Sequence, residues 1–275
     1  MSSEKVTTEE EQTERVRNQG QKDGLFRACM DQIRTSHTLG QTLRHGALAA
    51  GLLTDARCYA ELLGQFYVAT AALERRLAAR RAAEAPLVAR LTARGCYSFS
   101  SGYESDLRAL LGPDWRDTID RWTTGPAARY VRRLAAATDA ELAAAVFILH
   151  GPMVIGGGAM LQPRVERAFG ADATHVFADV VGSGRAARRR DFIALYDTLL
   201  DDDEQGAASF ASIVRACGEF MHLNNEMMLA VKRVPWWRKY VAASMVAAAA
   251  LAWTMFAHHS PSESASASET PSKTS

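Results

Sequence analysis

Apolar residues recur along Leu52 to Ala79 with a helical period, and no β-strand pattern competes with them. Leu52, Leu53, Tyr59, Leu62, Leu63, Phe66, Tyr67, Ala71 and Leu77 fall close to a 3.6-residue repeat, while Glu61, Gln65, Glu74, Arg75 and Arg76 fill the other side. Further helices are predicted over Tyr103 to Leu111, stopped by Gly112-Pro113, and over Ala127 to Ala137 and Asp139 to Leu149, separated by a Thr-Asp N-cap signal. Arg189 to Asp201 and Ala208 to Lys232 complete the set. No alternating apolar–polar run exceeds a few residues, and no Asn-Gly hairpin signal or internal repeat is present. The prediction is all-α: a single multi-helix domain over residues 25–232 with a C-terminal membrane anchor.

The ends of the chain differ from this core. Residues 1–24 are rich in Glu and poor in apolar side chains, as expected of a disordered acidic arm. They resemble neither a secretory signal nor a mitochondrial transit peptide. Residues 241–257 are uncharged and, as a helix, roughly 25 Å long, just short of a hydrocarbon core of about 30 Å. Residues 233–240 form a basic and aromatic juxtamembrane segment: Trp236, Trp237 and Tyr240 precede the run, and Arg233, Arg238 and Lys239 follow Lys232 on the same side. A tail anchor with the main domain on the cytosolic face is the expectation; a buried Ala-rich helix is the alternative. Residues 258–275 are a polar, disordered tail.

Charge and cysteine content narrow the function. Thirty-two basic against 31 acidic residues leave a net charge of +1, which argues against a nucleic-acid partner. The scattered cysteines Cys29, Cys58, Cys96 and Cys217 make no CxxC pair, so neither a zinc site nor a disulfide framework is expected. There is no GxGxxG after a strand, no phosphate-loop GxxxxGK[ST], no HExxH and no GxSxG.

Two features carry candidate chemistry. His37 lies in an early helical stretch, where an inward imidazole can hold haem iron; the alternative is an ordinary, partly buried histidine. His45 and His222 lie in helical patterns without an acidic or thiol partner at ligand spacing. The second feature is His150-Gly-Pro-Met-Val-Ile-Gly-Gly-Gly-Ala-Met-Leu161. Each helical glycine costs roughly 1 kcal/mol relative to alanine. Gly156, Gly157 and Gly158 therefore suggest a kink that brings backbone close to a flat ligand, or else a plain loop after Pro152.

From Asp31 to Val231 the chain resembles the haem (heme) oxygenase family. The resemblance is carried by Tyr103-Glu-Ser-Asp-Leu-Arg-Ala-Leu-Leu-Gly-Pro-Asp-Trp115, Pro126-Ala-Ala-Arg-Tyr-Val-Arg-Arg-Leu134, Ser36-His37-Thr38, Gly157-Gly158, Phe192-x-x-Leu-Tyr196 and Leu223-Asn224. It implies an all-α fold with haem between a proximal and a kinked distal helix. His37 would be the axial iron ligand, and Gly156, Gly157 and Gly158 would lie on the distal face. The implied activity is that of an oxidoreductase of the monooxygenase type. Haem, both cofactor and substrate, would be cleaved with O2 and electrons from a reductase partner to biliverdin, CO and iron. The family's usual destination is the endoplasmic reticulum; the short Ala-rich span leaves the mitochondrial outer membrane as the other option.

The sequence departs from the family pattern at polar positions. Counting back from Gly157-Gly158, the distal aspartate position holds Val154 and the distal arginine position holds His150, which could supply a polar distal group. Among residues expected to meet the haem propionates, Arg34 matches, while Asp191 has the wrong charge beside Arg188, Arg189 and Arg190. These departures keep open a second function: a haem-binding sensor or carrier, or an interaction protein, on the same fold without oxygenase activity.

Overall fold

The computed structural model describes residues 24–232 except 50, 94–97, 156, 178–183, 202 and 204, together with Ser244. The described residues form eleven α-helices, one 3₁₀ turn and no strand. These are α1 (Leu25–Ala49), α2 (Ala56–Ala82), α3 (Pro86–Ala93), α4 (Ser100–Leu111), α5 (Trp115–Trp122), α6 (Gly125–Ala135), α7 (Asp139–Leu149), α8 (Gly151–Ile155), α9 (Gly157–Phe169), a 3₁₀ turn (Ala171–Ala173), α10 (Arg185–Asp197) and α11 (Gly206–Leu229). Among these residues no helix is long and apolar enough to cross a membrane. The expected anchor over 241–257 lies outside the described residues, Ser244 apart, as do the juxtamembrane segment and both polar ends.

Local chemistry sets the helix boundaries. Leu52 lies in a turn before Asp55, whose side chain accepts the Arg57 amide and starts α2. Gly112 closes α4 at φ +82°, a left-handed value that suits glycine. The Thr-Asp signal is a full capping box: Thr138 Oγ1 accepts the Glu141 amide, and the Glu141 carboxylate accepts the Thr138 amide at 2.9 Å. Arg133 then bonds Glu141 at 2.6 Å and Glu219 at 3.0 Å, tying α6, α7 and α11 together.

Helix α7 is central. Every residue from Leu142 to Leu149 is buried, so no face of that stretch meets water. It packs mainly on α11, and α11 in turn on α1; α2 lies against α4 and α6. The aromatic residues behind the family resemblance hold this packing. Tyr196 of α10 donates to the Ala143 carbonyl at 2.6 Å, and its ring meets Phe147 edge-on at 5.0 Å. Trp115 meets Tyr67 at 5.2 Å, and Tyr130 meets Phe220 at 5.2 Å.

A buried carboxylate holds the segment after α9. Asp106 of α4 accepts the His175 amide at 2.6 Å, the Val176 amide at 3.1 Å and the His175 ring at 3.1 Å. Burial raises its pKa, and the two amides and His175 oppose that rise. Asp106→Ala would leave two amides without their acceptor, and the expected loss of stability is about 3 kcal/mol. Asp106→Asn, which keeps one carbonyl oxygen, should lose less. Urea unfolding midpoints of the two variants check this order.

Candidate functional site

Helix α1 presents one stripe to an open cleft. Ile33, His37, Gln41, Arg44, His45 and Leu48 recur at helical spacing and line a cavity of about 450 Å³. Phe147 and Ile148 of α7 and Met221 and Asn224 of α11 close its base. The opposite wall is a broken helix. α7 ends at Leu149, α8 restarts at Gly151-Pro152, and α9 begins at Gly157. Gly151, Pro152, Ile155, Met160, Leu161 and Arg164 face the cavity from that side. The volume falls within the range of ligand and cofactor pockets.

His37 is half-buried, and its pKa is lowered, first by burial and then by the charge of Arg44. At neutral pH its imidazole is therefore uncharged, the form that binds metal. No hydrogen bond or ion pair engages its ring among the described residues. The backbone beneath it is held: Asn225 of α11 donates through Nδ2 to the Ser36 carbonyl at 2.9 Å. This close approach depends on Gly40, where a Cβ would sit 2.6 Å from Asn225 Oδ1.

The sequence candidates separate in space. His150 is buried on the far side of the broken wall, beside a second cavity of about 540 Å³ lined by Glu74, Leu77 and Val146. Its Nε2 has no hydrogen-bond partner and lies 3.9 Å from Glu74 Oε1, and its ring stands edge-on to Phe99 at 5.1 Å. Val154 is 0% exposed and lines neither cavity. Gly158 packs toward Phe177 and Met153, at 3.1 and 3.3 Å from where a Cβ would be. Gly157 is the first residue of α9, and Gly156 lies outside the described residues.

The expected basic rim is not assembled at the cavity. Arg34 is exposed and pairs with Asp31. Arg188, Arg189 and Arg190 lie on α10, Arg189 and Arg190 exposed, and none lines the cavity. The structure supplies Arg44 and Arg164 instead. Arg44 was legible in principle, since it falls two turns beyond His37 on the same face; Arg164 follows Pro163 and required the tertiary fold. No Asp or Glu is found among the described residues lining the cavity. The reading of His222 needs a correction: its Nε2 lies 3.4 Å from Glu226 Oε1, one turn on, in an exposed pair. No cluster of three metal-ligating side chains occurs among the described residues.

The described residues thus form an all-α protein with a ligand-sized cleft between a histidine-bearing helix and a broken helix, backed by a helix buried from Leu142 to Leu149. The sequence matches the heme oxygenase family, described as "Heme oxygenase", over residues 48–230, and the chain belongs to that family. The match begins after His37. Among solved structures, heme oxygenase 2 from Chlamydomonas reinhardtii without heme aligns with a TM-score of 0.70 at 22% identity, covering 78% of this chain and 99% of that one. Heme oxygenase-2 from Synechocystis sp. PCC 6803, in complex with heme and NO, aligns at 0.62 and 23% identity over 76% and 85% of the two chains. Heme oxygenase-1 from the same cyanobacterium, in complex with heme, aligns at 0.61 and 18% identity over 83% and 99%. At these identities the likeness establishes the fold. No curated protein matches the sequence.

The sealed position of His150 has a measurable consequence. Burial lowers its pKa to about 4, against 6.5 for the free side chain. Between these values the unfolded chain binds a proton that the native chain refuses, so stability falls as pH drops from 6.5 toward 4. This contribution is about 2 kcal/mol between pH 7 and pH 4.5. His150→Leu should remove that component, as urea unfolding of both proteins at the two pH values would show.

Proposed function

We propose that the chain binds haem in the α1–α9 cavity with His37 as iron ligand and, given a reductase and O2, cleaves it to biliverdin, CO and iron. The observation that carries this reading is an uncharged His37, free of side-chain partners among the described residues, facing a cavity of suitable size in a heme oxygenase fold. Haem would serve as both redox centre and substrate. His37 offers a nitrogen lone pair to the iron. The positive charge of Arg44 opposes protonation of His37 and so keeps that lone pair available. Asn225, through the Ser36 carbonyl, limits movement of the helix that carries the ligand. Ile155 and Leu161 give the opposite side of the cavity an apolar lining. The glycine-rich start of α9, beginning at Gly157, is where a flat ring could approach the backbone.

A second reading is favoured by one observation. No carboxylate among the described residues lines the cavity, and Val154 and His150 point elsewhere, so no acidic side chain is placed to order distal water. Haem binding without ring opening would then be the function. Haemin added to the full chain should produce a saturable Soret shift that His37→Ala abolishes or moves. With a reductase and O2, loss of the Soret band and formation of biliverdin support the oxygenase; an unchanged haem spectrum supports the sensor or carrier.

The uncharged run 241–257 and its basic, aromatic flank support a tail anchor, with the helical domain on the cytosolic face of the endoplasmic reticulum and the mitochondrial outer membrane as the other destination. A fluorescent protein carrying residues 233–275 should sediment with membranes and resist alkaline extraction. Recovery in the soluble fraction would dismiss the anchor.

A further inference from the structure

We infer that the cavity beside His150 is a second binding site, separate from the α1–α9 cavity, for a small neutral aromatic alcohol whose ring lies between α2, α3 and α7 and whose hydroxyl partners the His150 imidazole. The inference is independent of the haem reading above.

The end of α7 and the turn after it divide two cavities. Phe147, Ile148, Gly151 and Pro152 line the first, while Val146 and His150, one helical turn apart, line the second. Among the described residues the two cavities share this wall but no lining side chain. The second has a volume of about 540 Å³, within the range of small-molecule pockets. Its floor is apolar and buried, made by Leu77 of α2, Leu91 of α3 and Val146. Ala78 and Ala82 of α2, both exposed, stand at its mouth.

His150 closes the floor with an unmet polar group. The residue is 2% exposed, and its Nε2 has no hydrogen-bond partner among the described residues. The Glu74 carboxylate, with Oε1 at 3.9 Å, is already engaged. Oε1 accepts the Phe99 amide at 2.7 Å and the Ser100 amide at 3.1 Å. Oε2 accepts the Ser98 hydroxyl at 3.3 Å and the Ser100 hydroxyl. These bonds fill the roughly four acceptor sites of a carboxylate and hold the start of α4. A buried nitrogen left without a partner is costly, and the cavity is the open space from which one can reach it.

The lining also sets the charge and shape of the ligand. Burial keeps the imidazole uncharged, and four donors compensate Glu74. Arg81, the other charged residue of the described lining, is exposed at the mouth, where water screens it. An ion on the floor would lack a counter-charge, so the ligand is neutral. A neutral imidazole has one donor and one acceptor nitrogen, and a hydroxyl serves either because it both donates and accepts. Thr92, also in the lining, donates its hydroxyl to the Val88 carbonyl at 2.9 Å and keeps lone pairs for a ligand donor. A rigid aromatic ring covers the apolar floor with little conformational entropy to lose.

The test titrates two probes into the full chain by isothermal calorimetry: 2-naphthol, and naphthalene as the same ring system without the hydroxyl. The native chain should bind 2-naphthol saturably at one site, about tenfold tighter than naphthalene. His150→Phe, which keeps a ring but no nitrogen, should bring 2-naphthol down to the naphthalene affinity and leave naphthalene unchanged. Ala78→Trp places an indole in the mouth from an exposed helical position and should abolish binding of both probes with an unchanged urea midpoint. Ala82→Trp, one turn further along the same mouth, should repeat the block and guards against misfolding of the first variant. No saturable binding by the native chain, equal affinity for the two probes, an unchanged affinity in His150→Phe, or binding that persists in both tryptophan variants overturns the site. Displacement of 2-naphthol by haemin also overturns it, since that places the alcohol in the α1–α9 cavity.

Discussion

From Leu142 to Leu149 helix α7 has no polar face, and the rest of the structure follows from that. A helix buried from Leu142 to Leu149 must be covered on every side, which draws α2, α3, α8 and α11 around it. Its start is pinned by the Thr138–Glu141 capping box and by Arg133, which joins Glu141 to Glu219. Its end runs directly into Gly151-Pro152, where the wall of the cavity begins. Phe147 therefore serves both regions: it packs against Phe26, Phe192 and Tyr196 and also lines the site.

The contrast between His37 and His150 shows how packing divides chemically similar residues. Burial lowers the pKa of both imidazoles. His37 faces a ligand-sized cavity from a helix held by Asn225. His150, at the C-cap of α7, faces Glu74 and Phe99, and its unsatisfied nitrogen is a cost that the surrounding apolar packing sustains. The arginines divide in the same way. Arg34 is neutralised by an aspartate one turn away, while Arg44, on the same helix, has no such neighbour and turns to the cavity.

The aromatic residues that carry the sequence resemblance are packing devices in the structure. Trp115, Tyr130, Phe192 and Tyr196 are buried and fill the spaces between helices. Such positions tolerate little change in volume. The family match itself begins only at residue 48, beyond His37.

The sequence alone determined the helices, their caps and the all-α class, because these depend on contacts within a few residues. The expected helix Asp139–Leu149 was recovered with the same bounds, and its capping signal with the predicted side chains. It also singled out His37 and the broken helix near Pro152. Only the tertiary structure decided which side of that break faces the cavity. A shift of one residue turns a helical side chain by about 100°, so counting back from Gly157-Gly158 could not tell that His150 and Val154 point away from it. It likewise brought Arg164 of α9 opposite Arg44 of α1, a juxtaposition of residues far apart in the chain that no local spacing encodes.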